Sequence, residues 1–357
     1  MTTATPAGVL TLAQVGCGYW GPNLLRNFSA LPGARVRYVV EPSADRRRYV
    51  AENFRATQAI ESLGPVLDDP AVRAVVLATP ARTHFELARR VLESGRHVFV
   101  EKPLATSVAE VDALDALARA RGLTLMAGHT FLYNPAVLAL RRLIADGELG
   151  RIYYLYAQRL NLGVVRADVN ALWNLAPHDV SIFNYLLGAA PLAVTAHGMD
   201  YLQPGIEVVV FATLEYPGQV RASLQVSWLD PHKVRKVTLV GSRRMVVYDD
   251  VAEDKLALYD KGVDAPAAAG GPLPFDRPPA GRLVYRSGDV HLPKLPTFEP
   301  LHAAAADFIE AIATGRPPRA DAAGARDVVA ALQAASLSLK EGSRRVALPE
   351  VMPPSRP

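Results

Sequence analysis

Cysteine is nearly absent from this chain. Cys17 stands alone among 357 residues, so no disulfide can form within it. A strong excess of either charge is lacking as well. The formal net charge is +4, with no basic block and no basic stripe interleaved with aromatics, which excludes the electrostatic footprint of a nucleic-acid-binding protein. The short run Arg46, Arg47, Arg48 reads as a solvated helix face. No apolar run approaches the roughly 18 residues a membrane-spanning helix needs. The opening stretch MTTATPAGVLTLAQVG has neither the basic start nor the long apolar centre of a secretory signal. A soluble, cytoplasmic protein with no membrane and no nucleic-acid partner is expected. The eight histidines contain no His-x-x-x-His pair and no His/Cys cluster, so no metal site is expected.

Half of the residues are hydrophobic, and the length suits two domains better than one core. Over the first 150 residues, short apolar runs alternate with helical patterns. Strands are expected at Val9–Val15, Arg35–Val40, Ala74–Ala78, His97–Val100 and Leu123–Ala127. Helical stretches lie between them, one of them Thr83–Ser94 with Gly95 as its stop. Strand and helix alternating at this spacing predict a doubly wound parallel sheet of the Rossmann type. Glu41, Thr79, Glu101, Lys102 and His129 all follow the carboxyl end of a predicted strand, the edge where open parallel sheets bind ligands.

The stretch GCGYWG, Gly16–Gly21, reads as G-x-G-x-x-G between a strand and a helix. Gly16 permits the tight turn, Gly18 clears the approach of a pyrophosphate to the backbone, and Gly21 lets the helix pack on the sheet. Tyr19 and Trp20 complete the loop, and the helix start offers free N–H groups to phosphates. Glu41 follows Gly21 by 20 residues at a strand end, placed for a ribose 2′-hydroxyl. A carboxylate repels a 2′-phosphate, so NAD is expected over NADP, a preference that Arg46 and its neighbours weaken. Cys17, inside the loop, reads as a small buried residue.

In VEKPLATS, Lys102 precedes Pro103, which keeps it out of helical geometry. From the spacing alone two readings stand: a cleft lysine that holds a substrate hydroxyl and stabilises a developing alkoxide, or a surface lysine paired with Glu101.

From Arg151 the texture changes. The stretch RIYYLYAQRLNLG has strand composition, Glu207–Trp228 reads as a hairpin, and a further pair turns near Gly241–Ser242. Consecutive hairpins predict an α+β domain with a large, mostly antiparallel open sheet. Residues 263–280 are rich in Ala, Gly and Pro and read as an exposed loop. Helices are expected over Pro300–Thr314 and Ala322–Lys340, packing back on the first domain. The expected boundaries are 1–128, 129–300 and 301–357, the last with a Pro-rich tail.

One helix stands among those strands. WNLAPHDVS, Trp173–Ser181, predicts its start near Pro177, with Asn174 as N-cap. His178 would then lie in the first turn, where the positive helix end disfavours imidazolium. A histidine held neutral near pH 7 is a candidate general base. Asp179 is one residue on and points about 100° away.

GCGYWG, ATPARTHFELA, VEKPLA, GHTFLYNPA and LWNLAPHDVSIFNYLLG occur in this order, and together they resemble the Gfo/Idh/MocA family, the glucose–fructose oxidoreductase and inositol dehydrogenase group. The resemblance implies hydride transfer between nicotinamide and a sugar carbon. It makes Lys102 a catalytic lysine and His178 the acid/base histidine, sets Glu101 beside the nicotinamide, and runs Thr79, Pro80 and His84 along the cofactor. It makes His129 a cofactor contact and Tyr133 a substrate contact, with a packed aromatic as the other reading of Tyr133. The family's commoner pattern has aspartate four residues before the histidine, where this chain has Asn174, an amide that orients a hydroxyl but carries no proton.

Within the family the chain resembles the branch of UDP-N-acetylglucosamine and uronic acid 3-dehydrogenases. Arg159 and Arg166 bracket the stretch NLG and become candidates for a diphosphate or carboxylate, with surface arginines as the alternative. Asn161 and Trp173 are further substrate candidates. Three readings stay open: an NAD-dependent dehydrogenase of a nucleotide-linked sugar, a keto-sugar reductase running the reverse reaction, and a cofactor-binding protein without turnover. The resemblance also implies a homodimer or homotetramer formed through the second sheet.

Overall fold

A computed structural model describes residues 8–264 and 284–350. The chain divides into two compact units. The first holds the residues up to Asn134 together with Thr297–Ala334, and the second holds Pro135–Pro296 and Ala335–Val346.

The first unit is built on six parallel strands: β1 (Leu10–Val15), β2 (Ala34–Val40), β3 (Gln58–Ile60), β4 (Ala74–Leu77), β5 (His97–Val100) and β6 (Leu125–Ala127). Their order is β3-β2-β1-β4-β5-β6, so the winding reverses between β1 and β4, the switch point at which such sheets bind dinucleotides. Between the strands run α1 (Gly21–Ser29), α2 (Ala44–Asn53), α3 (Gly64–Asp68), α4 (His84–Glu93) and α5 (Val108–Ala120). Strands β4 and β5 are buried along their whole length, which explains their unbroken apolar runs. The short β3 was not anticipated. Its three residues are half-buried or exposed and carry no apolar run.

The second unit opens with α6 (Pro135–Ala145), β7 (Ile152–Leu160) and α7 (Ala171–Leu187). Then come β8 (Ala193–Met199), β9 (Val209–Glu215), β10 (Arg221–Ser227), β11 (Val234–Gly241), β12 (Met245–Asp249), β13 (Leu256–Asp264) and β14 (Val284–His291). The chain returns through α8 (Pro300–Thr314), α9 (Ala322–Lys340) and β15 (Val346–Ala347). The nine-stranded sheet has the order β14-β13-β12-β11-β7-β10-β9-β8-β15. Strand β7 pairs with β10 in parallel and with β11 antiparallel, and the flanking pairs are antiparallel. Most of the expected loop at 263–280 lies outside the described residues, and so does most of the Pro-rich tail. Val263 and Asp264 close β13.

Period two governs this sheet. On β7, Leu155, Ala157 and Arg159 are buried while Tyr154 and Tyr156 are exposed, and α7 packs on β7, β9 and β10. Among the described residues no helix is long and apolar enough to cross a membrane.

The C-terminal helix α8 belongs to the first unit, and an aromatic cluster anchors it there. Phe308 on α8 meets Phe28 on α1 and Phe99 on β5 edge to face, with centroids 6.2 and 5.8 Å apart. All three rings are fully enclosed. Phe308→Ala should therefore cost about 3–5 kcal/mol of stability, read as a drop in the urea midpoint of the full chain. A loss below about 1 kcal/mol would mean that α8 is not anchored by this cluster.

Candidate active site

The glycine-rich loop is held from beneath by Gln14, a buried amide at the end of β1. Its Nε2 donates to the carbonyls of Gly16 (2.9 Å) and Gly21 (3.0 Å), tying both ends of the loop. Sequence reading passed over this residue, although a lone amide in the strand LTLAQV was the available signal. Gly16 has φ +90°, and a Cβ there would stand 2.5 Å from the Ala78 carbonyl oxygen. Gly21 lies so close to Gly16 that a Cβ would come within 2.8 Å of that residue's oxygen. The open side of Gly18 faces the Arg46 guanidinium, with Nη1 2.8 Å from the Cβ position.

Glu41 closes the loop from the end of β2. Its carboxylate accepts from the Cys17 N–H (2.8 Å) and the Ser43 N–H (3.0 Å). One oxygen each is used, and each keeps a lone pair free for a hydroxyl. Cys17 is buried, and desolvation followed by the Glu41 charge pushes its thiol up to about 11. The glycine cradle, the N-terminal end of α1 and the carboxylate after β2 fit a dinucleotide at the switch point.

A second loop follows β5. The Trp20 indole N–H donates to Glu101 Oε1 at 3.0 Å, and the Lys102 N–H donates to Oε2 at 3.2 Å. Trp20 thus links the glycine loop to the loop carrying Lys102. Burial pushes the Glu101 carboxyl up to about 7, opposed by the Lys102 charge and by both hydrogen bonds. His129, after β6, is 2% exposed, and neither ring nitrogen has a hydrogen-bond partner. Burial, then the Lys102 charge, lowers it to about 4, so it is a neutral, enclosed ring.

Two candidate residues of this unit have side chains already committed inside it. The first is His84. It is 1% exposed, with Nδ1 2.7 Å from the Pro103 carbonyl and Nε2 2.8 Å from that of Thr79. It bridges the loops that follow β4 and β5, while Thr79 and Pro80 stay at the strand edge, partly exposed and exposed. The second is Tyr133, which takes its packed-aromatic reading. It is 3% exposed, its hydroxyl donates to Asp307 at 2.6 Å and accepts from the Ala320 N–H, and Arg319 covers its ring.

The second unit corrects the start of α7. The helix begins at Ala171 and Asn170 is its N-cap, with Oδ1 accepting from the Trp173 N–H at 3.0 Å. Asn174 is a helical residue whose Oδ1 accepts from the Trp228 indole at 3.2 Å. Pro177 lies inside the helix. His178 therefore stands in the third turn, beyond the reach of the N-terminal dipole, and the helix start cannot be what sets its charge. Asn174 and His178, four apart, share one helix face.

Arg159, a candidate for a diphosphate or carboxylate or else a surface arginine, is 5% exposed and donates through Nε (2.9 Å) and Nη2 (2.8 Å) to the two oxygens of Asp179. Its fork is committed inside the unit. The Trp173 indole donates to Ser336. Arg166 pairs with Asp168 at the surface. The Asn161 N–H donates to the Ser227 carbonyl, and its side chain folds over Gly163. Among the described residues no group of His, Cys, Asp and Glu is arranged to hold a metal ion.

Residues 10–129 match the model of the GFO/IDH/MocA oxidoreductase family with its NAD-binding Rossmann fold, and residues 137–247 match that family's C-terminal domain. The chain belongs to the Gfo/Idh/MocA family. Its first unit is therefore an NAD-binding domain. It is 29% identical over 321 residues to the UDP-N-acetylglucosamine 3-dehydrogenase of Acidithiobacillus ferrooxidans, covering 89% of this chain and 94% of that protein. The solved structure of that enzyme, GnnA, superposes with a TM-score of 0.76 at 26% identity, over 93% of this chain and 98% of that one. GenD2 of gentamicin A biosynthesis, solved with NAD, superposes at 0.78 with 25% identity over 97% and 98% of the two chains. The scyllo-inositol 2-dehydrogenase of Bacillus subtilis is 30% identical over 204 residues, and the match spans 56% of this chain and 58% of that protein.

Glu101 makes a pH test available. The unfolded chain releases this proton near the ordinary value of about 4.3, and the folded chain near 7. In between, the folded state binds more protons, so this group lowers stability as pH rises through that window. His97 and His129, both lowered to about 4 by burial, act oppositely between about 4 and 6.5. Glu101→Gln removes only the first contribution. Urea denaturation of variant and native chains should show the variant gaining relative stability steadily from pH 4.5 to 7.5. A pH-independent difference would mean that Glu101 ionises normally.

Proposed function

We propose that this protein is an NAD-dependent dehydrogenase that moves hydride between nicotinamide and a ring carbon, C3, of a nucleotide-linked sugar, a UDP-N-acetylhexosamine or its uronic acid. The likeness to the UDP-N-acetylglucosamine 3-dehydrogenase over 94% of that protein carries this reading. It is joined to the lysine at the carboxyl end of β5, on a loop that Trp20 ties to the glycine cradle.

NAD, when bound, supplies the hydride acceptor. Gly16, Gly18 and Gly21 admit its pyrophosphate to the backbone, Tyr19 and Trp20 flank it, and Glu41 takes the ribose hydroxyls, favouring NAD over NADP. Glu101 and His129 border the nicotinamide end. Lys102 holds the substrate hydroxyl and stabilises developing negative charge on its oxygen. His178 takes the hydroxyl proton as the carbon is oxidised, which calls for a neutral imidazole. Asn174, on the same helix face, orients the hydroxyl without taking a proton. Arg166 and Asn161, from the segment before α7, are the remaining candidates for the nucleotide end.

A second reading is the reverse reaction, reduction of a keto-sugar in antibiotic biosynthesis; the likeness to GenD2, from gentamicin A biosynthesis, supports that setting and not a direction. There the same residues act in reverse, with His178 returning the proton.

Incubation of the full chain with NAD and a panel of UDP-sugars, followed by absorbance of the reduced cofactor, tests the first reading. Lys102→Ala and His178→Ala should each lower kcat by about 10²–10⁴. Losses within about threefold would remove both roles. Oxidation of no UDP-sugar, together with NADH-dependent reduction of 3-keto sugars, would favour the second reading.

The outer face of the nine-stranded sheet supports a homodimer. Tyr156, Phe211, Thr213, Ser223 and Gln225 give it a neutral, partly aromatic centre. The pairs Lys236–Asp249 and Arg221–Glu215 lie towards its margins. Such a centre with a charged rim is the composition of an interface. Light scattering should give twice the chain mass, and Phe211→Lys with Tyr156→Glu should return the mass of one chain. A native mass of one chain would exclude the dimer.

A further inference from the structure

We propose that Arg159 and Asp179 are positioning residues. Their buried ion pair fixes the rotation of α7 just beyond Pro177 and so aims His178. The inference rests on the reading of His178 as the acid/base group.

Three observations converge on this pair. The first is its geometry. Arg159 and Asp179 are 5% and 1% exposed, and two parallel hydrogen bonds of 2.9 and 2.8 Å join them. A bidentate fork sets orientation as well as distance. The second is the weakness it sits beside. Pro177 is inside α7 and has no N–H to give the carbonyl four residues earlier, so the ladder lacks a rung at that turn. His178 follows at once, and Asp179 is the next residue. The third is the anchor. Arg159 lies on β7 between β10 and β11, paired in register with Val226 and Arg235. These are central strands of the sheet. Arg159 also feels the charge of Asp250, whose Oδ1 accepts from the Tyr248 hydroxyl at 3.0 Å. Asp179 on α7 is thus tied to a side chain seated on the central strands of the sheet.

Stability alone does not call for such a pair, because well-packed apolar residues of similar volume commonly replace a buried ion pair without loss. What apolar packing lacks is angular definition. Side-chain ends lie some 5–6 Å from a helix axis, so a rotation of about 20° displaces them by about 2 Å, and a misplacement of about 1 Å can cost 10²-fold in rate.

The test uses the full chain labelled at its histidine rings and observed by NMR. The His178 signal is identified by its loss in His178→Gln. Asp179→Asn keeps the shape and removes the charge, and Arg159→Met removes the fork. Both should shift or broaden the His178 signal while leaving those of the other seven histidines in place. With NAD and UDP-N-acetylglucosamine, kcat should fall about 10²-fold, with KM for NAD within twofold. If the single variants do not fold, the double variant Arg159→Met/Asp179→Leu is measured, and it should fold with a displaced His178 signal. An unchanged His178 signal in the folded variants would overturn the proposal and leave the pair a purely structural one. If the signal moves but His178→Gln turns over like the native enzyme, the acid/base reading fails while the positioning stands.

Discussion

The close approach of Gly16 to the end of β4 is the constraint on which the first unit depends. The chain leaves β1 and must turn across the switch point, and it can do so only because no Cβ stands between Gly16 and the Ala78 carbonyl. Gln14 then grips both ends of the turn, and Glu41 fastens its middle through the Cys17 N–H. The result is a loop held at both ends and in its middle. Such ties lower the ordering cost of binding a dinucleotide. The link from Trp20 to Glu101 extends this rigidity to the loop that carries Lys102.

The second unit solves a related problem by other means. A helix lying on an antiparallel sheet can slide or rotate, since apolar contacts have little directionality. Alpha7 carries a proline in its interior, which weakens its own ladder, and a buried ion pair holds it to β7. On sequence, Arg159 was a candidate for a ligand's diphosphate or carboxylate, and Asp179 pointed away from His178. The structure spends both on one contact inside the unit. His178 is then defined by packing and by its neighbours along the helix, and not by the field of a helix terminus.

Much of the fold was legible. Five strands of the Rossmann sheet announce themselves as short, largely apolar runs closed by Gly, Glu or Thr-Pro, because parallel strands covered on both faces are mostly apolar. The carboxyl-edge positions of Glu41, Thr79, Glu101 and Lys102 follow from those strand ends. The start of α7 was not legible. Asn174 and Pro177 have the composition of a helix opening, while the true cap, Asn170, stands four residues earlier. A proline reads as a start whenever local rules alone are applied, and tertiary packing keeps it in a helix interior here.

By itself, the sequence determined the alternation of strand and helix, the glycine loop, the acid after β2, and the lysine before Pro103. These are matters of neighbouring residues, where propensity and backbone sterics act over a few positions. Only the tertiary structure decided which polar side chains are already committed. His84 bridges two carbonyls, Tyr133 is held by Asp307, and Arg159 is held by Asp179. Each partner lies 19 or more residues away along the chain, apart from the Thr79 carbonyl five residues before His84. A buried polar group takes whatever partner the fold brings to it, and spacing in the chain carries no record of that choice.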